Sequence, residues 1–269
     1  MKKTLLLFLF ALFFIACGDS ATPKNNSKVG ESSSEFSSYS AKSSSSEVVP
    51  ISSSVNVVSP ADVIVGSMKD SRDGQTNKTV KIGTQTWMAK NLNYKTEYSH
   101  CYKYTASNCA KYGRLYRWAA AMDSAGSWST TGKGCGYGKT CSPIGPVRGV
   151  CPEGWHLPTK TEWEILFDAV GGKSIAGMVL KSTFGWYNCG NCMDDFSFSA
   201  LPAGMEHDKG DAQEGFLAHF WSSTESKMYG HKAYGSYEVY GMNLIAVDSI
   251  AYLDFYDKKH WVSVRCLKD

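Results

Sequence analysis

The sequence lacks any apolar run long enough to cross a membrane, and it lacks a strong charge of either sign. The run at residues 5–16 has twelve residues, whereas a membrane-spanning helix needs about 20. The formal net charge is +3, and it is +1 without Lys2 and Lys3, so electrostatics gives no reason to expect a nucleic-acid partner. Hydrophobic residues still make up 43% of the chain, which is enough for a buried core.

The sequence also lacks the short motifs that carry common catalytic chemistry. It has no Gly-x-Ser-x-Gly turn for a serine nucleophile. None of its six histidines stands four residues from another, which is a spacing typical of metal ligands on a helix. We therefore expect no catalytic residues and no enzyme activity.

The N-terminal residues are predicted to form a targeting signal. Lys2 and Lys3 precede the short apolar run, as in a secretory signal peptide. The run ends at Ala16 and Cys17, and a small residue directly before such a cysteine resembles the lipobox of bacterial lipoproteins, in which the cysteine receives a diacylglyceryl group. The alternative is a plain secretory signal. We expect residues 1–16 to be a lipoprotein signal peptide, with Cys17 lipidated and the protein anchored in the cell envelope, at the outer membrane.

A serine-rich segment follows the signal. Residues 18–60 contain 16 serines in 43 residues. Such a stretch cannot bury enough apolar surface to offset its conformational entropy, so the composition predicts disorder. Residues 17–60 are therefore expected to be a flexible tether, with one domain at residues 61–269.

The eight cysteines after the tether indicate a disulfide framework, because the protein is predicted to leave the cytoplasm. The spacing predicts three local loop closures and one long-range bond: Cys101–Cys109, Cys135–Cys141, Cys189–Cys192 and Cys151–Cys266. The alternative at Cys189 and Cys192 is a redox or zinc motif. Zinc would need a second ligand pair at matching spacing, and the sequence has none.

Local patterns predict a compact α+β domain with two helices and short antiparallel strands. Residues 79–82 and 85–88 flank Gly83 and Thr84 as a hairpin. One helix is expected at 115–122, and another begins at Thr159, where Glu162 completes a capping box. Further strands are expected at 196–200, 220–223, 239–247, 250–256 and 261–266.

Several sequence blocks resemble the Fibrobacter succinogenes major paralogous domain. These blocks are residues 79–94, 112–116, 118–122, 151–159, 198–204, 220–225 and 263–266. The resemblance implies a cell-surface protein with a C-type-lectin-like fold and implies no settled activity.

A second resemblance points to a different class of function. Residues 157–159, 162–164 and 171–172 and the terminal Arg265–Cys266 pair are similar to formylglycine-generating enzymes, which have the same fold. Those enzymes hold copper with a close cysteine pair shortly before the terminal Arg-Cys. This chain has no cysteine between Cys192 and Cys266. A divergent enzyme without the copper pair is therefore the alternative to a non-catalytic binding module.

Two sets of residues are candidates for ligand contact. Tyr229, Tyr234, Tyr237 and Tyr240 lie in a glycine-interrupted stretch, where aromatic rings could stack on a carbohydrate or anchor a protein; alternatively, several of them belong to strands or the core.

Asp194 and Asp195 are candidate calcium ligands, and the alternative is that they stabilise a turn. The Glu-Pro-Asn and Gln-Pro-Asp tripeptides with which C-type lectins bind sugar through calcium are absent. No other cofactor is expected.

Overall fold

The computed structural model describes residues 57–207, 210–226 and 237–269. The predicted signal, Cys17 and nearly all of the predicted tether lie outside the described residues. The described helices are α1 (Ala106–Tyr112), α2 (Trp118–Ala121), α3 (Lys160–Ala169) and α4 (Lys173–Val179). No helix in these ranges is both long enough and apolar enough to span a membrane.

Thirteen strands accompany these helices in the described ranges. The strands of the N-terminal half are β1 (Ile64–Lys69), β2 (Thr76–Ile82), β3 (Gln85–Met88), β4 (Ser99–His100), β5 (Leu115–Arg117) and β6 (Trp155–His156). Those of the C-terminal half are β7 (Met205–His207), β8 (Gly210–Ala212), β9 (Leu217–Glu225), β10 (Glu238–Ile245), β11 (Ala251–Asp257), β12 (Trp261–Ser263) and β13 (Leu267–Lys268).

The strands form two sheets, and the domain is α+β as predicted. The smaller sheet has the order β1-β2-β3-β13-β6. The larger one has the order β11-β10-β9-β12-β5-β4, with β7 beside β12 and β8 beside β7. All pairs are antiparallel except β12 with β9. The predicted hairpin is confirmed: β2 and β3 pair from Thr79–Met88 to Ile82–Gln85, and Gly83 has the positive φ of 59° that the tight turn requires.

Helix α3 begins where the capping box predicted it. Thr159 accepts a hydrogen bond from the Glu162 amide, and the Glu162 carboxylate accepts one from the Thr159 amide. The buried face of α3 places Trp163 in a stack on Trp87 of β3, with ring centroids 4.5 Å apart. This pair belongs, together with Phe220 of β9, to one core cluster.

Three secondary-structure predictions were wrong. The helix expected at 115–122 begins only at Trp118, because Leu115–Arg117 pairs with β12 and β4. The strand expected at 196–200 is irregular, because Ser197 and Ser199 both have a φ of 52° and the Asp194 carboxylate holds the Ser199 amide at 2.6 Å. The described residues contain four helices instead of the predicted two. The short α1 and α4 were not predicted because they carry little apolar periodicity.

The eight cysteines of the domain form the four pairs that their spacing predicted. Cys151–Cys266 lies inside a second core cluster with Trp118 and Trp221 and joins residues 115 positions apart. The bond ties the segment before β6 to the segment that leads into β13. The last strands are therefore held covalently against the centre of the domain.

Candidate functional site

An open groove of about 340 Å³ lies beside β5 and the first residue of β12. Its lining is mainly aromatic and cationic: Tyr98, Arg117, Ala119, Tyr137, Lys258, Lys259 and Trp261. We call this feature the aromatic groove. Its volume falls in the range of small-ligand sites.

Trp261 is fixed in the aromatic groove by contacts with Arg117 and His100. Arg117, its register partner on β5, places its guanidinium 4.6 Å from the centre of the Trp261 ring. The Arg117 side chain also donates to the Lys259 carbonyl at 2.5 Å, which joins β5 to the turn before β12. The His100 ring meets Trp261 edge-on at 4.2 Å. The indole is therefore positioned before any ligand arrives.

His100 is itself held by a buried carboxylate. Its Nε2 is hydrogen-bonded to Glu206 of β7, and the second Glu206 oxygen accepts the Lys103 amide at 2.5 Å. The Tyr104 ring stacks on His100 at 4.3 Å. Glu206 thus orients the imidazole, which in turn supports one side of Trp261.

Tyr137 projects from the loop closed by the Cys135–Cys141 disulfide, and a buried ion pair fixes this loop. Lys258 Nζ is paired with Glu225 and donates to the Lys139 carbonyl at 2.9 Å. The other Glu225 oxygen accepts the Cys141 amide at 2.8 Å. Burial lowers the pKa of Lys258, and the hydrogen bond to Glu225 opposes that shift. Lys258 Nζ also donates to the Gly136 carbonyl at 3.4 Å, so both ends of the loop are anchored.

Two tyrosine rings of the aromatic groove face solvent. Tyr98 is 61% exposed and Tyr137 is 42% exposed. Exposed rings can stack on the flat face of a bound group, while guanidinium and ammonium groups donate hydrogen bonds to its oxygens. This chemistry suits binding.

The structure brings one of the four predicted contact tyrosines to the groove. The Tyr237 ring lies 4.9 Å from Tyr137 and so extends the groove edge. Tyr240 lies elsewhere, with its ring 4.7 Å from Phe255 and the Lys160 ammonium 5.4 Å away. Tyr229 and Tyr234 fall outside the described residues.

The two predicted calcium ligands lie away from the aromatic groove. Asp194 accepts the amide and the hydroxyl of Ser199, both at 2.6 Å, and Asp195 is exposed. Burial raises the pKa of Asp194, while the Ser199 hydrogen bonds and the charge of Arg265 oppose that rise. In the described part of the chain, no cluster of three or more His, Cys, Asp or Glu residues is arranged to hold a metal. Calcium binding stays a prediction.

Sequence reasoning missed most of the aromatic groove. Tyr98, Tyr137 and Trp261 come from three segments that are far apart in the chain, and Arg117 was placed inside a predicted helix. The one usable signal was local: two lysines and a histidine immediately precede Trp261 at the start of the last predicted strand.

These features define a disulfide-stapled α+β domain with an aromatic and cationic surface groove. A family model, the Fibrobacter succinogenes major domain, matches residues 80–268. The chain therefore belongs to this family, and every residue that lines the aromatic groove lies within the match. No curated protein and no solved structure matches the chain.

Proposed function

We propose that this protein is a non-catalytic binding module, displayed on the cell surface by a lipid anchor, whose aromatic groove binds carbohydrate. The single observation that carries the proposal is the groove itself, in which Trp261 is held by contacts with Arg117 and His100 while Tyr98 and Tyr137 face solvent. Pre-positioned rings reduce the ordering cost of binding. The proposed fold is C-type-lectin-like.

The lining favours a sugar over a peptide side chain. The negative face of an aromatic ring attracts the weakly positive C–H groups on a pyranose face, and Arg117 and Lys259 carry donors for its hydroxyls. Among the described lining residues there is no Leu, Ile, Val, Met or Phe. An apolar anchor residue of a protein partner would therefore find no aliphatic pocket.

The cysteine pairing argues against copper chemistry of the formylglycine-generating type; it does not bear on the enzyme alternative, which lacks the copper pair. Copper chemistry of the formylglycine-generating type needs two thiolates, and all eight cysteines of the domain are in disulfides. Disulfides also favour a location outside the cytoplasm. The proposed location is the bacterial outer membrane, with Cys17 as the lipid-bearing residue and residues 17–60 as a tether.

A glycan array tests this function. The full-length chain in detergent should bind at least one carbohydrate among oligosaccharides from plant and bacterial cell walls. Trp261→Ala should weaken that binding at least about tenfold, because about 1.4 kcal/mol of ring contact corresponds to a factor of ten.

Tyr137→Ala is the second variant, because Tyr137 is exposed and its loss should leave the fold intact; it should weaken binding in the same direction. Tyr187→Ala is the matched control, since Tyr187 is an exposed tyrosine that does not line the groove. Absence of any carbohydrate binding, or equal losses in all three variants, would contradict the proposal.

A further inference from the structure

A second cavity adjoins the aromatic groove. It also has a volume of about 340 Å³ and is lined by Tyr98, Ala119, Asp123, Ser127 and Trp128, among others. Tyr98 and Ala119 line both cavities. The two cavities are therefore neighbours that meet at these two residues, with Trp261 on one side of the junction and Trp128 on the other.

The wall of the second cavity is preformed. The Asp123 carboxylate accepts the amides of Ser127 at 2.8 Å, Trp128 at 2.7 Å and Ser129 at 3.0 Å. The Trp128 carbonyl accepts a hydrogen bond from Arg148 at 3.2 Å. Because its polar backbone groups are already satisfied within the domain, this wall keeps its shape without a ligand.

The junction residue Tyr98 is held in an unusual conformation. Its φ is +54°, and a bulky residue in the left-handed region is strained. The hydroxyl of Ser99 closes the turn around it by bonding to the Thr96 amide at 3.0 Å and carbonyl at 2.7 Å. The Tyr98 carbonyl accepts the Arg117 amide at 3.2 Å. The backbone strain is thus maintained while the Tyr98 ring remains exposed between the cavities.

We propose that the ligand is an extended glycan chain that lies across Tyr98, with neighbouring sugar units in the two cavities. This inference rests on the function proposed above and specifies its ligand class as chain interiors, not single terminal sugars. Each cavity has one tryptophan, and the shared Tyr98 lies between them. Ala119 leaves the junction open, because its side chain is a single methyl group. Among the described residues that line the second cavity, Leu, Ile, Val, Met and Phe are again absent.

Length dependence of binding tests the inference. For each polysaccharide type that binds on the array, titration calorimetry with the full-length chain would measure affinity for oligomers of two to six sugars. The affinity should rise at least tenfold from the shortest oligomer to one that reaches both cavities. Ser127→Tyr should remove that rise, because Ser127 is exposed in the second cavity and a large ring there would fill it.

The matched control is Ser107→Tyr, since Ser107 is an exposed serine of α1 that lines neither cavity; it should keep the rise. Tyr98→Ala should weaken long oligomers more than short ones.

The possible failures can be told apart. If oligomers of all lengths bind equally and Ser127→Tyr changes nothing, while Trp261→Ala still weakens binding, the extended-chain inference is wrong and the proposed function stands. If no oligosaccharide binds at all, the proposed function is wrong and the inference falls with it.

Discussion

Single buried cations hold several irregular segments of this domain in place. Lys181, Lys258 and Arg265 are almost completely buried. Lys181 Nζ donates to three main-chain carbonyls at 2.8 to 2.9 Å, and Arg265 donates to two carbonyls and to Asn91 Oδ1. Carbonyl groups that no regular strand or helix satisfies are costly when buried. These cations satisfy them, so loops can pack in the interior.

His156 is a second kind of buried charge, placed between two carboxylates. Its Nδ1 is 2.7 Å from Asp269 and its Nε2 is 3.0 Å from Glu162. Burial alone would lower the pKa of His156, but hydrogen bonds and charge from Glu162 and Asp269 raise it overall. Burial would likewise raise the pKa of Glu162, but hydrogen bonds from His156 and Thr159 lower it overall.

The pH dependence of stability follows from these directions. Because the folded state raises the pKa of His156, the protonated side chain stabilises the fold fully below about pH 6.5, and this stabilisation is lost as the pH rises through the folded pKa. Because the folded state lowers the pKa of Glu162, the ionised carboxylate stabilises the fold above about pH 4.3, and this stabilisation is lost as the pH falls through the folded pKa. Urea unfolding at pH 5.5 and pH 8.5 should show a smaller loss of stability at the higher pH in His156→Gln than in the native protein.

His207→Gln is the control for that comparison, because it replaces a different imidazole, on β7. An identical loss of stability with pH in the native protein and in His156→Gln would show that the imidazolium does not contribute.

At the scale of secondary-structure elements, the predictions that held rest on local signals. The β2–β3 hairpin depends on a two-residue turn, and α3 depends on a cap that lies within four residues. One of the predictions that failed depends on a distant partner. Leu115–Arg117 has an apolar, alanine-rich continuation that favours a helix, but β12, almost 150 residues later, pairs with it as a strand. No local pattern contains that information.

The disulfide loop at residues 135–141 depends on the Lys258–Glu225 ion pair. Lys258→Met would leave the Glu225 carboxylate buried without its partner, which should lower the free energy of unfolding by about 3 to 5 kcal/mol. Urea unfolding followed by tryptophan fluorescence measures this. The same variant should weaken carbohydrate binding, because Tyr137 projects from the loop.

The double variant Lys258→Met with Glu225→Gln is the control for charge. The amide oxygen of Gln can still accept the Cys141 amide, and no buried charge is left unpaired, so part of the lost stability should return. A Lys258→Met protein as stable as the native one would show that the ion pair is not needed to hold the loop.

At the scale of the whole molecule, the sequence allowed prediction of the α+β class, the disulfide pairs and the family, but not of the candidate site. The aromatic groove is assembled from Tyr98, Arg117, Tyr137 and Trp261, which tertiary packing brings together. Aromatic residues at a turn or strand end look alike in a sequence whether they enter the core or face solvent. The tyrosine-rich stretch was therefore predicted to contact a ligand, although only Tyr237 among its described tyrosines reaches the groove edge.

The proposed lipid anchor makes a prediction for the full-length protein expressed in bacteria. The native protein should fractionate with membranes and incorporate labelled palmitate, because two or three acyl chains bind a bilayer stably. Cys17→Ser should appear in the soluble fraction without label. The control is the double variant Cys189→Ser with Cys192→Ser, which removes two cysteines of the domain and should leave the protein in the membrane fraction. Membrane retention of Cys17→Ser would contradict lipid anchoring at this residue.

Residue-resolved oxidative footprinting would show directly whether a bound oligosaccharide covers the aromatic groove. The full-length protein would be exposed to hydroxyl radicals with and without a bound oligosaccharide, and side-chain oxidation would be measured by mass spectrometry. We expect Tyr98, Tyr137 and Trp261 to be protected when the oligosaccharide is bound, while Tyr187 is oxidised equally in both states. Equal oxidation of the three groove residues with and without the bound oligosaccharide would contradict this expectation.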